Sequence, residues 1–325
     1  MPATIPSGDA SANGPSPAAT PARWLRVVGF VLGITLLAAA AYVLVLQRDD
    51  LARCWQAARH APAWIVLATL LLPLLNWLLT SLIFWTLTRR FGSVGYREMS
   101  MLIGSAWLLN MLPFKPGLMG RIAYHKAISG IPVATSIMVT ITALLTGGVG
   151  IVIALTAQLA IDGSLRAAVP LAVLAPMVAT VFALAIIPGV VFAWINKRNG
   201  HPAFAGGPAA GFAIIVRVID THVWAIRYHL AFRLVGLDQP YGVCVLVAGV
   251  SQIAGQFPIQ FGFREWSVGV SSAALRSSAP GISAAAAVPG ITVDLICRAA
   301  EIVCALPIGL VSTLWVYRHI RRNRA

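Results

Sequence analysis

The sequence predicts an all-α, polytopic membrane helix bundle of about six full spans with two re-entrant helical hairpins. Three observations support this fold class: an apolar composition, long runs without charge, and two short apolar segments that end in prolines and glycines. The 325 residues are 58% hydrophobic and only 10% charged, and their mean hydropathy is +0.82. Soluble domains carry about 25% charged residues, so this composition indicates a chain that lies mostly in lipid.

Four runs contain no charged residue, at 27–46, 61–88, 127–161 and 167–196. A helix of about 20 apolar residues crosses the hydrocarbon core, so each run is long enough to span it. The runs lack the two-residue alternation of membrane β-strands. They are therefore predicted to be helices.

Basic residues flank the runs and set the expected topology. They are Arg23, Arg26, Arg89, Arg90, Arg97, Lys197, Arg198, Arg318, Arg321, Arg322 and Arg324. Cytoplasmic loops are enriched in Lys and Arg, so both termini are expected in the cytoplasm of a bacterial inner membrane. The net charge of +14 is assigned to this bias, and no nucleic-acid partner is expected. Residues 1–22 are predicted to be a disordered tail, and residues 23–325 are predicted to form one membrane domain.

Two apolar segments, Met99–Pro113 and Tyr241–Pro258, are too short and too broken for simple spans. Proline removes a backbone donor and clashes with the preceding helical turn. Irregular backbone at membrane depth is tolerated only where protein buries it or water lines it. We therefore interpret both segments as re-entrant hairpins beside a cavity.

The two interruptions share a spacing of Gly, nine residues to Pro, four to Gly, and then Arg. The residues are Gly104, Pro113, Gly117 and Arg121 in the first and Gly249, Pro258, Gly262 and Arg264 in the second. With the topology above, the first hairpin enters from the cytoplasm and the second from outside. This arrangement is typical of an inverted repeat, in which broken helices meet near the midplane at a transport site.

Candidate binding residues lie at the two interruptions and in the last span. They are Asn110, Lys115, Arg121, Gln256, Arg264, Glu265, Asp294, Arg298 and Glu301. Cations beside exposed backbone N–H groups suit a phosphate, and charges inside a span usually face the protein interior. The alternatives are a basic cytoplasmic loop, an interfacial ion pair at the second interruption, and a structural clamp in the last span.

The segment 211–235 carries Arg217, Asp220, His222, Arg227, His229 and Arg233. It is either a span or an amphipathic helix on the membrane surface. Two histidines are too few for a metal site. We find no nucleophile elbow, phosphate-binding loop or dinucleotide motif, so no catalytic residue, metal or cofactor is predicted.

Two motifs carry a family resemblance. Asn110, Pro113, Gly117 and Arg121 match N-x-x-P-x-x-x-G-x-x-x-R, and Pro258, Gly262, Arg264 and Glu265 match P-x-x-x-G-x-R-E, with Arg298 in the following span. Over residues 23–320 the chain resembles the lysylphosphatidylglycerol synthase transmembrane-region family of flippase-like membrane proteins. The resemblance covers the lipid-translocating part of the family, and no counterpart of the soluble synthase domain of its longer members is expected. The family often has an acidic and basic cluster in the next span, where this chain has Thr140, Ile141 and Thr142.

The resemblance implies a lipid flippase-like transporter that binds an anionic or phosphate-bearing head group. The lipid would be a phospholipid or a polyprenyl or hopanoid-type lipid, and the oligomeric state stays open. Two alternatives remain. One is a membrane-embedded transferase acting on lipid heads, with His125 as its candidate base, and the other is a non-transporting accessory protein of envelope lipid assembly.

Overall fold

A computed structural model describes residues 61–111, 115–161, 207–256, 263–277 and 287–324, and single positions at 56, 59, 194 and 198. The predicted tail, the runs 27–46 and 167–196, and Pro113, Pro258 and Gly262 lie outside the described residues. Within these ranges every element is an α-helix, which confirms the all-α prediction there. The helices are α1 (Ala63–Thr88), α2 (Tyr96–Leu109), α3 (Pro116–Ala127), α4 (Val133–Ile161), α5 (Pro208–Leu234), α6 (Tyr241–Ala254), α7 (Phe263–Ser277) and α8 (Ala287–Arg324).

Four of these helices, α1, α4, α5 and α8, are long and apolar enough to cross a membrane. Their outward faces carry large exposed apolar side chains. Examples are Leu67, Leu71, Leu75 and Leu78 on α1, and Leu306, Leu310 and Leu314 on α8. The three- and four-residue spacing places each set on one helical face. Such faces suit lipid rather than water, so the chain is a helical membrane protein.

The first interruption separates two short helices. Helix α2 ends at Leu109, and α3 begins at Pro116 after Lys115 adopts a left-handed backbone conformation with φ 48°. Proline suits the first position of a helix because its missing N–H is unbonded there anyway. The second segment likewise ends α6 at Ala254, and α7 begins at Phe263.

The helices occur twice in the order long, short, short, long, as α1–α4 and again as α5–α8. Helix α1 packs against α5, α2 against α8, and α6 against α4. Gly104 of α2 faces Ser312 and Ile308 of α8, whereas Gly249 of α6 faces Ile151 and Leu155 of α4. The two glycines with matched spacing thus each lie where a short helix meets a long helix of the other half.

Helix α5 lies inside the bundle, where it packs against α1, α4, α6 and α8. Its Asp220 and Arg227 are each only 1% exposed. A helix lying on the membrane surface would present such charges to water. The structure therefore favours the span over the surface helix for this segment.

The largest apolar core lies in the second half, where α5 and α6 pack together with contributions from α4, α7 and α8. Tyr228 and Phe232 of α5 and Val245 and Leu246 of α6 are fully buried in it. This core holds α5 and α8 in fixed register, so the polar side chains that they carry are fixed too.

Candidate functional site

A cavity of about 450 Å³ lies at the centre of the bundle, and residues of all eight described helices line it. This volume falls within the range of about 300–1,000 Å³ that is usual for small-molecule sites. Its wall combines aromatic rings, amides and charged groups. The aromatic members are Trp77, Phe84, Trp107 and Trp224, and the amides are Asn76, Asn110, Gln252 and Gln256.

Positive charge dominates the wall of the cavity. Its described cationic residues are Lys115, Arg121, Arg217, Arg227, Arg264 and Arg298, and its acidic residues are Asp220 and Glu301. Charges in a low-dielectric interior interact more strongly than in water. The cavity is therefore suited to an anion.

The two interruptions meet at this cavity. Lys115, between α2 and α3, donates from Nζ to the backbone oxygen of Gly255, at the end of α6, at 2.7 Å. The side-chain Oδ1 of Asn110 accepts from the backbone N–H of Leu118 at 3.2 Å and so caps the start of α3. These bonds close the first interruption and join it to the second.

Arg121 of α3 is buried beside the cavity without a carboxylate partner among the described residues. Its Nη2 donates to Thr140 Oγ1 at 2.6 Å, and its guanidinium carbon lies 3.8 Å from the ring centroid of Phe84. Both neighbours are neutral. A buried cation in such surroundings is stabilised when an anion binds.

Helix α8 anchors the arginines of the second half through Glu301. Its carboxylate accepts from Arg227 at 2.6 Å and from Arg264 at 3.1 and 3.2 Å, and Arg298 lies 3.7 Å away. Arg264 also donates from Nε to Asp294 at 3.0 Å. Asp294 therefore orients Arg264.

The network continues from Arg227 towards α1. Nη1 of Arg227 donates to Asn76 Oδ1 at 3.0 Å, and Asn76 Nδ2 donates to Asp220 at 2.7 Å. Asp220 is paired in turn with Arg217 at 2.9 Å. Polar groups from α1, α5, α7 and α8 thus form one buried network, in which each member limits the movement of the next.

An aromatic ring and two unpaired groups complete the wall. The Trp224 ring lies against two guanidinium groups, those of Arg227 at 4.3 Å and Arg264 at 5.0 Å. The buried Ser251 Oγ and Gln252 Nε2 have no hydrogen-bond partner in the part of the chain that the structure describes. Buried polar groups are normally satisfied, so these two are available to a ligand.

Seven of the nine predicted binding residues line the cavity: Asn110, Lys115, Arg121, Gln256, Arg264, Arg298 and Glu301. Glu265 and Asp294 are buried but do not line it. The candidate base of a transferase, His125, also lies away from the wall, with its Nδ1 3.3 Å from Ser136 Oγ. Burial, followed by the charge of Arg121, lowers the pKa of His125 to about 4.

Sequence reasoning missed five residues of the site: Asn76, Arg217, Asp220, Trp224 and Arg227. Four of them belong to the segment 211–235, which the sequence left open between a span and a surface helix, so its side chains were not assigned to the interior of the bundle. Asn76 could have been predicted from the sequence, because it is the only side-chain amide in the apolar run 61–88. Polar groups at membrane depth usually face the protein interior.

A comparison of the chain with models of protein families found no match. A comparison with characterised proteins found no match either.

Proposed function

We propose that this protein is a lipid flippase-like transporter that binds an anionic or phosphate-bearing lipid head group in the central cavity and moves it across the membrane. The observation that carries this proposal is the excess of cationic over acidic side chains in a cavity where both helix interruptions meet. Arg121, Arg264 and Arg298 would bind the head group. Glu301 and Asp294 would hold Arg264 in position.

We further propose that the fold is an inverted repeat of α1–α4 and α5–α8 with two re-entrant hairpins among about six spans. The counterparts in the two halves are α1 and α5, α2 and α6, α3 and α7, and α4 and α8. When each helix is exchanged for its counterpart, the packing of α2 on α8 becomes that of α6 on α4, and the packing of α8 on α1 becomes that of α4 on α5. Both members of each pair of packings are observed. The matched positions of Gly104 and Gly249 support the same relation. Alternating exposure of the two hairpins would then carry the head group.

Membership in the lysylphosphatidylglycerol synthase transmembrane-region family remains a proposal carried by the two motifs. The role of Asn110 as a cap of α3 gives its motif position a structural reason. A location in the bacterial inner membrane, with both termini cytoplasmic, rests on the distribution of Lys and Arg.

Proteoliposome scrambling of a fluorescent phosphatidylglycerol tests the function. Arg298→Ala is expected to lower the translocation rate by at least about tenfold, because one buried guanidinium at the cavity is lost. The matched control is Arg233→Ala, which removes a half-exposed arginine of α5 that lies 3.9 Å from exposed Asp238. Both variants should insert and purify like the wild type.

Each of the two alternative functions, the transferase and the accessory protein, predicts a different result in this assay. Wild-type protein that scrambles no lipid but forms a new lipid species would support the transferase, and neither activity would support the accessory role. If Arg298→Ala translocates lipid at the wild-type rate while correctly inserted, Arg298 does not belong to the site.

The pH dependence of anion binding tests the role of Lys115, which lies between α2 and α3 and outside the four spanning helices. Burial, followed by the charge of Arg298, lowers the pKa of Lys115 to about 8. Lys115 is therefore mostly charged at pH 7 and loses its proton as the pH rises through about 8. Affinity for phosphatidylglycerol, whose phosphodiester charge is constant over this range, should fall from pH 7 to pH 9.

Lys115→Arg is the matched variant, because arginine stays protonated over this range. We expect its binding to be nearly independent of pH when measured by titration calorimetry in neutral detergent. An equal fall in affinity for wild type and Lys115→Arg would assign the titration to another group.

A further inference from the structure

The charges around the cavity do not balance. The carboxylates of the network are four: Asp220, Glu265, Asp294 and Glu301. Glu265 lies within electrostatic range of Asp294 and Arg298. Six cationic side chains line the same cavity. The described site therefore has two more positive than negative charges.

The acids are not shared equally between the two halves. Three of the four lie on α7 and α8, and the fourth, Asp220 on α5, is paired with Arg217 at 2.9 Å. Glu301 and Asp294 are bound by Arg227 and Arg264. Three of the four carboxylates are thus bound by arginines of the second half, and Glu265 lies near Arg298 and Arg264 of the same half.

The first half supplies the two remaining cations, Lys115 and Arg121. The observed partners of both are neutral: a backbone oxygen of Gly255 for Lys115, and the Thr140 hydroxyl and Phe84 ring for Arg121. Burying a charge is costly unless an opposite charge compensates it. Among the described residues no carboxylate compensates these two cations, so we expect a bound anion to do so.

Resting on the function proposed above, we propose that the lipid head group carries two negative charges, as a terminal phosphomonoester or a diphosphate esterified at both ends. Such a group neutralises Lys115 and Arg121 together, whereas a phosphodiester neutralises only one of them. A zwitterionic head adds no net charge. A lysylated phosphatidylglycerol, with a net positive charge, would increase the imbalance.

The geometry of the donors agrees with a phosphate that has several free oxygens. Guanidinium groups bind phosphate through two parallel N–H bonds, and an ammonium adds a point charge. The unpaired Ser251 Oγ and Gln252 Nε2 supply further donors in the same wall. A terminal phosphomonoester exposes three oxygens, one more than a phosphodiester leaves free.

Three probes with the same twelve-carbon chain separate the head-group charges. They are dodecyl phosphate, methyl dodecyl phosphate and dodecylphosphocholine, which at pH 7.5 carry roughly two, one and no net negative charges. Binding to the full chain is measured by thermophoresis in neutral maltoside micelles. We expect dodecyl phosphate to bind at least about tenfold more tightly than its methyl ester, and dodecylphosphocholine more weakly still.

Variants identify the side chains that bind the second negative charge of the head group. Arg121→Gln and Lys115→Gln should each reduce the preference for dodecyl phosphate over its methyl ester, while Arg121→Lys retains most of it because the charge remains. Arg233→Gln, at an exposed ion pair of α5, should keep the full preference. A preference unchanged in both glutamine variants would overturn the assignment, and the thermal stability of each variant verifies that it is folded.

The outcomes distinguish this inference from the function on which it depends. Equal binding of dodecyl phosphate and its methyl ester would contradict a head group with two negative charges. It would remain consistent with a transporter that binds an anionic head group. No binding of either probe would overturn both. Inorganic pyrophosphate binding as tightly as dodecyl phosphate would identify a soluble anion as the ligand and would overturn the lipid head group.

Discussion

Replacing Glu301 with Gln is expected to lower the free energy of unfolding by about 3–5 kcal/mol, the usual cost of removing one partner of a buried ion pair. The carboxylate is bound by Arg227 and Arg264, and Arg298 lies 3.7 Å away. Glutamine keeps the shape and one acceptor oxygen but removes the charge that compensates three guanidinium groups. Thermal unfolding in maltoside micelles should show a midpoint several degrees below that of the wild type.

The matched control is Asp238→Asn, which removes the acidic partner of an ion pair at 3.9 Å with a side chain that is 84% exposed. Exposed pairs contribute about 0–1 kcal/mol, so this variant should unfold near the wild-type temperature. Similar midpoints for Glu301→Gln and Asp238→Asn would mean that the buried network around α8 does not form. A stable Glu301→Gln protein would contradict the site as described.

Replacing Gly117 with Ala is expected to disturb the start of α3 and with it the cations at the first interruption. A Cβ at this position would lie within 3 Å of the carbonyl oxygen and Cα of Ala106 and of Asn110 Oδ1. Two of these atoms belong to the backbone, so they cannot rotate away as a flexible side chain would. Overpacking of this kind costs about 1–3 kcal/mol, and we expect translocation to fall by at least about tenfold as Lys115 and Arg121 shift.

Gly120→Ala provides the control on the same helix, three residues further on. A Cβ there meets no atom within 4 Å, and alanine is the better helix former. Gly120→Ala should therefore match or slightly exceed the wild type in thermal stability and in lipid scrambling. Equal behaviour of Gly117→Ala and Gly120→Ala in both measurements would show that the close approach of α3 to α2 is not needed.

The interruptions could be predicted from sequence because their causes are local. The length of a charge-free run shows whether it can span the membrane. Two prolines and two glycines within the eight residues 113–120 disfavour one continuous helix there. The same holds for the candidate cations: Lys115 and Arg121 adjoin an interruption, and interrupted helices at membrane depth line cavities. Most of the predicted binding residues consequently lie in the wall of the cavity.

The ion pairs between different helices could not be predicted in this way. Helical spacing placed Asp294, Arg298 and Glu301 on one face, and Arg298 does lie 3.7 Å from Glu301, but Asp294 binds Arg264 of the preceding helix. Glu301 binds Arg227, 74 residues earlier in the chain. A long side chain can pair with any charge that packing brings within reach, and sequence spacing describes only the neighbours on its own helix.

The amino-acid sequence alone determined that this is a helical membrane protein with two interrupted segments and intramembrane charges, because hydrophobicity and proline act over a few residues. Only the tertiary structure decided that Asn76 connects Asp220 to Arg227 and that Lys115 joins the first interruption to the second. It also decided which cations have no carboxylate partner among the residues that the structure describes. Charge balance in a buried site depends on which helix faces meet, and that is set by packing between helices far apart in the chain.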